Sequence, residues 1–100
     1  MARNKAIVNR EGSALRNATV MTFTGRFRPA SFRAFAEDRA RLLALDAAWG
    51  EAAPDRMVVA IAGQRDFVDA FEMACSLGPM DCLVHEVERR DAGPAGIGSL

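Results

Sequence analysis

The sequence predicts an α+β domain in which two helices cover one face of an antiparallel sheet, and three observations predict it. Two stretches carry apolar residues at three- and four-residue steps, the period of a half-buried helix. Short runs rich in β-branched residues lie before, between and after them. Glycines and prolines stand at the junctions, where chain reversals are needed. With 100 residues, 50% of them apolar, the chain holds one compact core and leaves no room for a second.

Residues 1–17 show no sustained period and read as an N-terminal extension ahead of a domain spanning 18–90. "NATVMTF" mixes β-branched, aromatic and polar residues and is bounded by Gly25, which predicts a strand over 18–24. From Ser31 onward Phe32, Phe35, Ala36, Ala40 and Leu43 recur on one helical face, opposite Glu37, Asp38, Arg39 and Arg41. Ser31 is the expected N-cap of that helix. "AAWGEAAPDR" breaks the period. A short strand near 46–49 is expected to form a hairpin with "MVVAIAG", an uninterrupted apolar run that reads as a buried strand over 57–62. In "RDFVDAFEMACSLGP" the residues Phe67, Val68, Phe71, Ala74, Cys75 and Leu77 form a second apolar helical face, which stops at Gly78 and Pro79. "CLVHEVE" is the fourth strand, with Val84 and Val87 toward the core, and 91–100 is a Gly- and Pro-rich tail expected to be flexible. The order βαββαβ, a split pair of strand-helix-strand units, is that of the ferredoxin-like sandwich.

Charge excludes several function classes. Lysine plus arginine equals aspartate plus glutamate at 13 each, so no net field draws the chain to nucleic acid or to an anionic membrane. No apolar run has the length of a signal-peptide core or a membrane span, and a soluble, cytoplasmic chain is expected. Cys75 and Cys82 lack metal-ligand spacing and read as small core hydrophobes, and His85 stands without partner ligands on the exposed side of an edge or bulged strand. No metal and no cofactor is predicted.

"GRFRPASFR", residues 25–33, sets three arginines around the turn between the first strand and the first helix. Extended to "GRFRPASFRAF", it resembles the acylphosphatase family, whose corresponding turn runs G-R-V-Q-G-V-G-F-R-x-F. The resemblance continues through Ala40, Leu43 and Leu45 at the family's alanine and L-G-L. It includes Trp49 at its G-W-V, "VDAF" in the second helix, and "GPMDCLVHEV" at its closing G-P-x-x-A-x-V-x-x-V. In all it spans roughly residues 18–88, in order and with matching spacing.

The resemblance implies a site that hydrolyses carboxyl-phosphate anhydrides. Such a site needs a cradle of backbone N–H groups ahead of a helix N-terminus for a dianionic phosphoryl group. It needs an arginine fork on the phosphate oxygens and a side chain that aims the attacking water. By resemblance the anion site comprises Arg26, Arg28, Pro29, Ala30, Ser31, Phe32 and Arg33, with Arg33 the retained catalytic arginine. Three departures fall within the implied catalytic site as a whole. Pro29 replaces the first loop glycine and removes one N–H. Ser31 replaces the second and adopts left-handed backbone less readily. The family's water-positioning asparagine becomes Glu51 when the chain is aligned without a gap and Ala52 when it is aligned on Trp49; Glu51 is retained as a catalytic candidate because a carboxylate can act as a general base.

Three classes of function follow. The first is a domain with a degenerate cradle, little or no acyl-phosphate hydrolysis, and residual binding of an anion or partner. The second is a working acylphosphatase that hydrolyses carboxyl-phosphate anhydrides through Arg33, with the altered loop and Glu51 compensating; phosphate or an acyl phosphate is the expected ligand. Last comes a nucleic-acid-binding module, which lacks the aromatic sheet motif of RNA-recognition domains. The family closes its sheet with a further strand, for which "RRDAGPAGIGSL" offers no strand character. The exposed edge is therefore expected to take up "KAIV" from the extension or to pair with a second copy, giving either a monomer or an edge-strand dimer.

Overall fold

A computed structural model describes residues 18–91. Six elements follow in the predicted order: β1 (Thr19–Arg26), α1 (Pro29–Leu42), β2 (Asp46–Ala53), β3 (Arg56–Ala62), α2 (Arg65–Leu77) and β4 (Leu83–Asp91). The strands form one antiparallel sheet in the order β2-β3-β1-β4, so the two buried strands are the two most apolar. The expectations for residues 1–17, for "KAIV" and for the tail beyond Asp91 fall outside the described residues.

Alternation along β1 and β3 sends Met21, Phe23, Met57, Val59 and Ile61 to the helix side. There they meet Phe32, Ala36 and Ala40 of α1 and Val68, Phe71 and Cys75 of α2. The two alanines let α1 approach the sheet closely, and Phe32 locks the contact edge-on to Phe23, with ring centroids 5.2 Å apart. Between the outer parts of the layers, Arg89 of β4 donates to Asp69 and Glu72 of α2 at 3.0 and 2.6 Å.

Several expectations change. α1 begins at Pro29 rather than Ser31, with Arg28 as an N-cap that offers no side-chain bond, because proline is preorganised for the first helical position. Phe67 is 40% exposed and Leu77 81%, since Val68, Phe71 and Cys75 take the inward stripe of α2. Phe67 lies about 100° around the axis from Val68, and Leu77 lies in the last turn. Cys82 precedes β4 in a turn, partly buried, instead of lying on the strand. Val84 and Val87 both pack against the core although they are three apart, because the ladder with β1 shifts register between Thr24 and Gly25. Thr24 pairs with Glu86 and Gly25 with Val84, so exposed His85 is the extra residue of a bulge. At that point a Cβ on Gly25 would sit 2.0 Å from the Leu83 carbonyl oxygen, which is why glycine is needed there.

α1 ends in a Schellman turn. The Leu45 N–H reaches the Ala40 carbonyl at 2.8 Å and the Ala44 N–H reaches Arg41 at 3.2 Å. Ala44 holds φ at 56°, left-handed backbone that an alanine adopts at a cost. Replacing Ala44 with glycine is expected to stabilise the fold by about 1 kcal/mol, read as a higher urea midpoint at unchanged slope; an unchanged or lower midpoint would show that the turn carries no strain.

Candidate anion site at the start of α1

β1 passes into α1 through only two residues, Phe27 and Arg28. Both are fixed by their backbones. The Phe27 N–H donates to the Pro54 carbonyl at 2.7 Å, and the Gly25 N–H to Asp55 at 3.3 Å, which ties the passage to the β2–β3 hairpin. The Phe27 ring is buried edge-on to Phe32 at 4.9 Å. The Arg28 N–H faces Cys82 Sγ at 3.5 Å.

A helix start leaves four N–H groups without an intrahelical partner, and such groups make an anion site. At α1 these are the groups of Arg28 to Ser31. Arg28 already faces the Cys82 thiol and Pro29 has no N–H, leaving those of Ala30 and Ser31. The Phe32 N–H closes the first helical bond, to Arg28, at 2.9 Å.

A carboxylate of the chain itself stands at this helix start. Ser31 Oγ donates to Asp81 Oδ1 at 2.9 Å, and Arg28 Nε lies 3.9 Å from Oδ2. α1 has no acidic residue in its first turn, so Asp81, brought from the turn before β4, supplies the negative charge that the helix dipole favours there. The contacts are half-exposed and screened, and their consequence is mainly positional.

Arg33 lies one turn further on. Its Nε is 2.9 Å from Glu37 Oε2, and its guanidinium lies over the Trp49 ring, 5.5 Å from the centroid. Trp49 pairs with Val59 and therefore faces the helices, where its indole Nε1 is buried without a hydrogen-bond partner. Arg26, exposed, ends β1 opposite Leu83.

Glu51 is not brought to Arg33. The ladder of β2 with β3 shifts between Trp49 and Ala52, and Ala52 pairs with Met57, a core residue on the helix side. Ala52 thus shares the helix-side face with Trp49. The Glu51 carboxylate instead accepts from Arg56 Nη1 at 3.2 Å. Arg56, next to Met57 on β3 and opposite Thr24, belongs to the other face of the sheet.

The part played by Asp81 is missed by the sequence reading. It stands 50 residues from Ser31 in "GPMDC", and no period or spacing joins them. Among the described residues no group of three or more His, Cys, Asp or Glu is placed to hold a metal ion. No helix among them is long and apolar enough to cross a membrane.

The βαββαβ order, the antiparallel sheet with two helices, and a strand running into a helix start together define a ferredoxin-like domain of the acylphosphatase type. No known protein-family profile matches the chain. It is 36% identical over 87 residues to an acylphosphatase of Nocardioides sp. (strain ATCC BAA-499 / JS614), covering 86% of this chain and 87% of that one. The chain belongs to the acylphosphatase family.

Solved structures agree on the fold. The acylphosphatase from Bacillus subtilis superposes with a TM-score of 0.68 at 18% identity, over 74% of this chain and 82% of that one. The acylphosphatase from Coxiella burnetii gives 0.64 at 21%, over 75% and 79%. The C-terminal domain of the MgtC protein from Mycobacterium tuberculosis gives 0.57 at 16%, over 86% and 95%, which places the same architecture in a differently named protein.

The two thiols near this region differ in accessibility. Burial pushes the Cys75 thiol up to about 12, against a smaller opposing pull from Arg39. Burial also raises Cys82, the Arg28 backbone N–H opposes the rise, and the Asp81 carboxylate adds to it. Burial thus keeps Cys75 in its thiol form at pH 8. Iodoacetamide at that pH is expected to label Cys82 first and Cys75 only when the protein unfolds, as read by mass spectrometry of digests; equal labelling of both in the folded protein would contradict the burial of Cys75.

Proposed function

We propose that this chain is an acylphosphatase-family domain with a degenerate cradle, which hydrolyses acyl phosphates little or not at all and retains weak anion binding at the start of α1. The observation that carries this reading is that α1 already begins at Pro29, where the family turn carries its first glycine. A helical first turn occupies the length of chain that would otherwise curve around a phosphoryl group.

The donor set supports the same reading. Hydrolysis of a carboxyl-phosphate anhydride puts water in line with the leaving carboxylate and spreads negative charge over the equatorial phosphoryl oxygens. Here two N–H groups remain for that charge, those of Ala30 and Ser31, and Asp81 repels it. Loss of one preorganised donor costs on the order of a hundred- to a thousandfold in rate. The helix-side position on β2 is Ala52, which has no group to hold water, and Glu51 is engaged by Arg56. Arg33 already gives its Nε to Glu37 and lies over Trp49, contacts that compete with a phosphate oxygen for the guanidinium.

Retention of Arg33 and the 36% identity to an acylphosphatase favour a second reading, a working hydrolase that acts through Arg33. One assay separates the two. Purified protein is expected to release no phosphate from benzoyl phosphate above the rate of its Arg33→Ala variant. Turnover that disappears with Arg33 would overturn the degenerate reading.

For the residual anion site, inorganic phosphate is expected to shift the backbone amide resonances of Ala30 and Ser31. Asp81→Asn, which removes the charge but keeps an oxygen for Ser31, is expected to tighten that binding about three- to tenfold. An unchanged affinity would show that Asp81 does not oppose the anion.

A further inference from the structure

The sheet face turned away from the helices is apolar at its centre. Val58, Ala60 and Ala62 alternate along β3 with the inward Met57, Val59 and Ile61, and Val20 alternates with Met21 on β1. Val20 and Ala48 both pair directly with Ala60, so the neighbours on this face are small. None of them has the bulk to shade another, and an antiparallel sheet with one open face leaves such side chains in water. Yet Ala60 is 0%, Ala18 and Ala62 are 1%, and Val20 is 3% exposed. Among the described residues both helices lie on the opposite side. The long side chains on this face, Arg56, Glu88 and Arg90, flank a half-open hollow of about 510 Å³ against Val20, Thr22 and Val58.

We propose that residues 1–17 of this chain lie across this face and form the third layer that covers Val20 and Ala60. The segment joins the sheet at Ala18, immediately before a central strand, and so starts at the patch to be covered. Four strands are about 19 Å wide, a distance that six or seven extended residues cross. The segment carries Ile7, Val8 and Leu15 for the apolar centre. Its Arg3, Lys5, Arg10 and Arg16 stand against the single acid Glu11, and β4 offers Glu86 and Glu88 at the rim. Residues 92–100 offer only Ile97 and Leu100 as large apolar groups, and they leave from the edge strand.

The test is methyl NMR on the full chain, with mixed isotope labelling to separate contacts within one molecule from those between two. Intramolecular NOEs from the methyls of Ile7, Val8 or Leu15 to Val20 and Ala60 are expected. Absence of such NOEs, or NOEs that join two copies, would overturn the proposal. As a second measurement, the full-chain double variant Ile7→Asp/Leu15→Asp is expected to lower the ratio of folded to unfolded protein at least tenfold, with Ile97→Asp neutral. An equal effect of Ile97→Asp would assign the cover to the C-terminal segment instead.

Discussion

The position of Phe32 governs the start of α1. Fully buried, it lies edge-on both to Phe23 on the central strand and to Phe27 in the passage that follows it. A side chain held between the strand that precedes a turn and the turn itself fixes how far the chain can bow outward. With Phe27 also pinned by its N–H to Pro54, the passage from β1 to α1 has two residues and no slack. Pro29 fits that constraint, since its fixed φ belongs to a first helical turn and its missing N–H has no partner to lose. The same constraint governs any anion that approaches, because it sets which N–H groups point outward.

A helix start leaves partial positive charge that some group must meet. A ligand can meet it, or a side chain of the protein can. Asp81 does so here from 50 residues away in sequence, and it links the turn before β4 to α1 through Ser31. A protein whose helix start is satisfied from within keeps the fold without a ligand and competes with any ligand that arrives. An anion placed at this helix start would therefore meet Asp81 as a competitor for the same partial charge.

Much of the fold was legible because it rests on periodic patterns. The helical steps from Phe32 to Leu43 and from Val68 to Cys75 mark which face is buried, and the apolar run of β3 marks a buried strand. Phe67 and Leu77 were misjudged because a helix buries a stripe narrower than its apolar residues suggest. The motif "GRFRPASFR" marked the passage from β1 to α1, but Ser31 became an N3 residue because Pro29 preceded it. Asp81 carried no signal: a contact across 50 residues is written in no local pattern. Which of Glu51 and Ala52 lies on the helix side was equally beyond the sequence, since it depends on strand register.

Register also connects two spacings that look irregular in sequence. Strand side chains alternate, so residues three apart fall on opposite faces. Trp49 and Ala52 nevertheless both lie opposite core residues, and Val84 and Val87 both pack against the core. Each pair spans a place where the ladder shifts by one, so each strand carries a bulge that returns the second residue to the helix side. A three-residue step between inward residues in a strand is thus the trace of a bulge. In β4 it obliges Gly25 to accept the Leu83 carbonyl against its Cα, and in β2 it turns Ala52 rather than Glu51 toward the helices. Backbone geometry thus sets Ala52, whose side chain has no polar atom, on the helix side and leaves Glu51 beside Arg56.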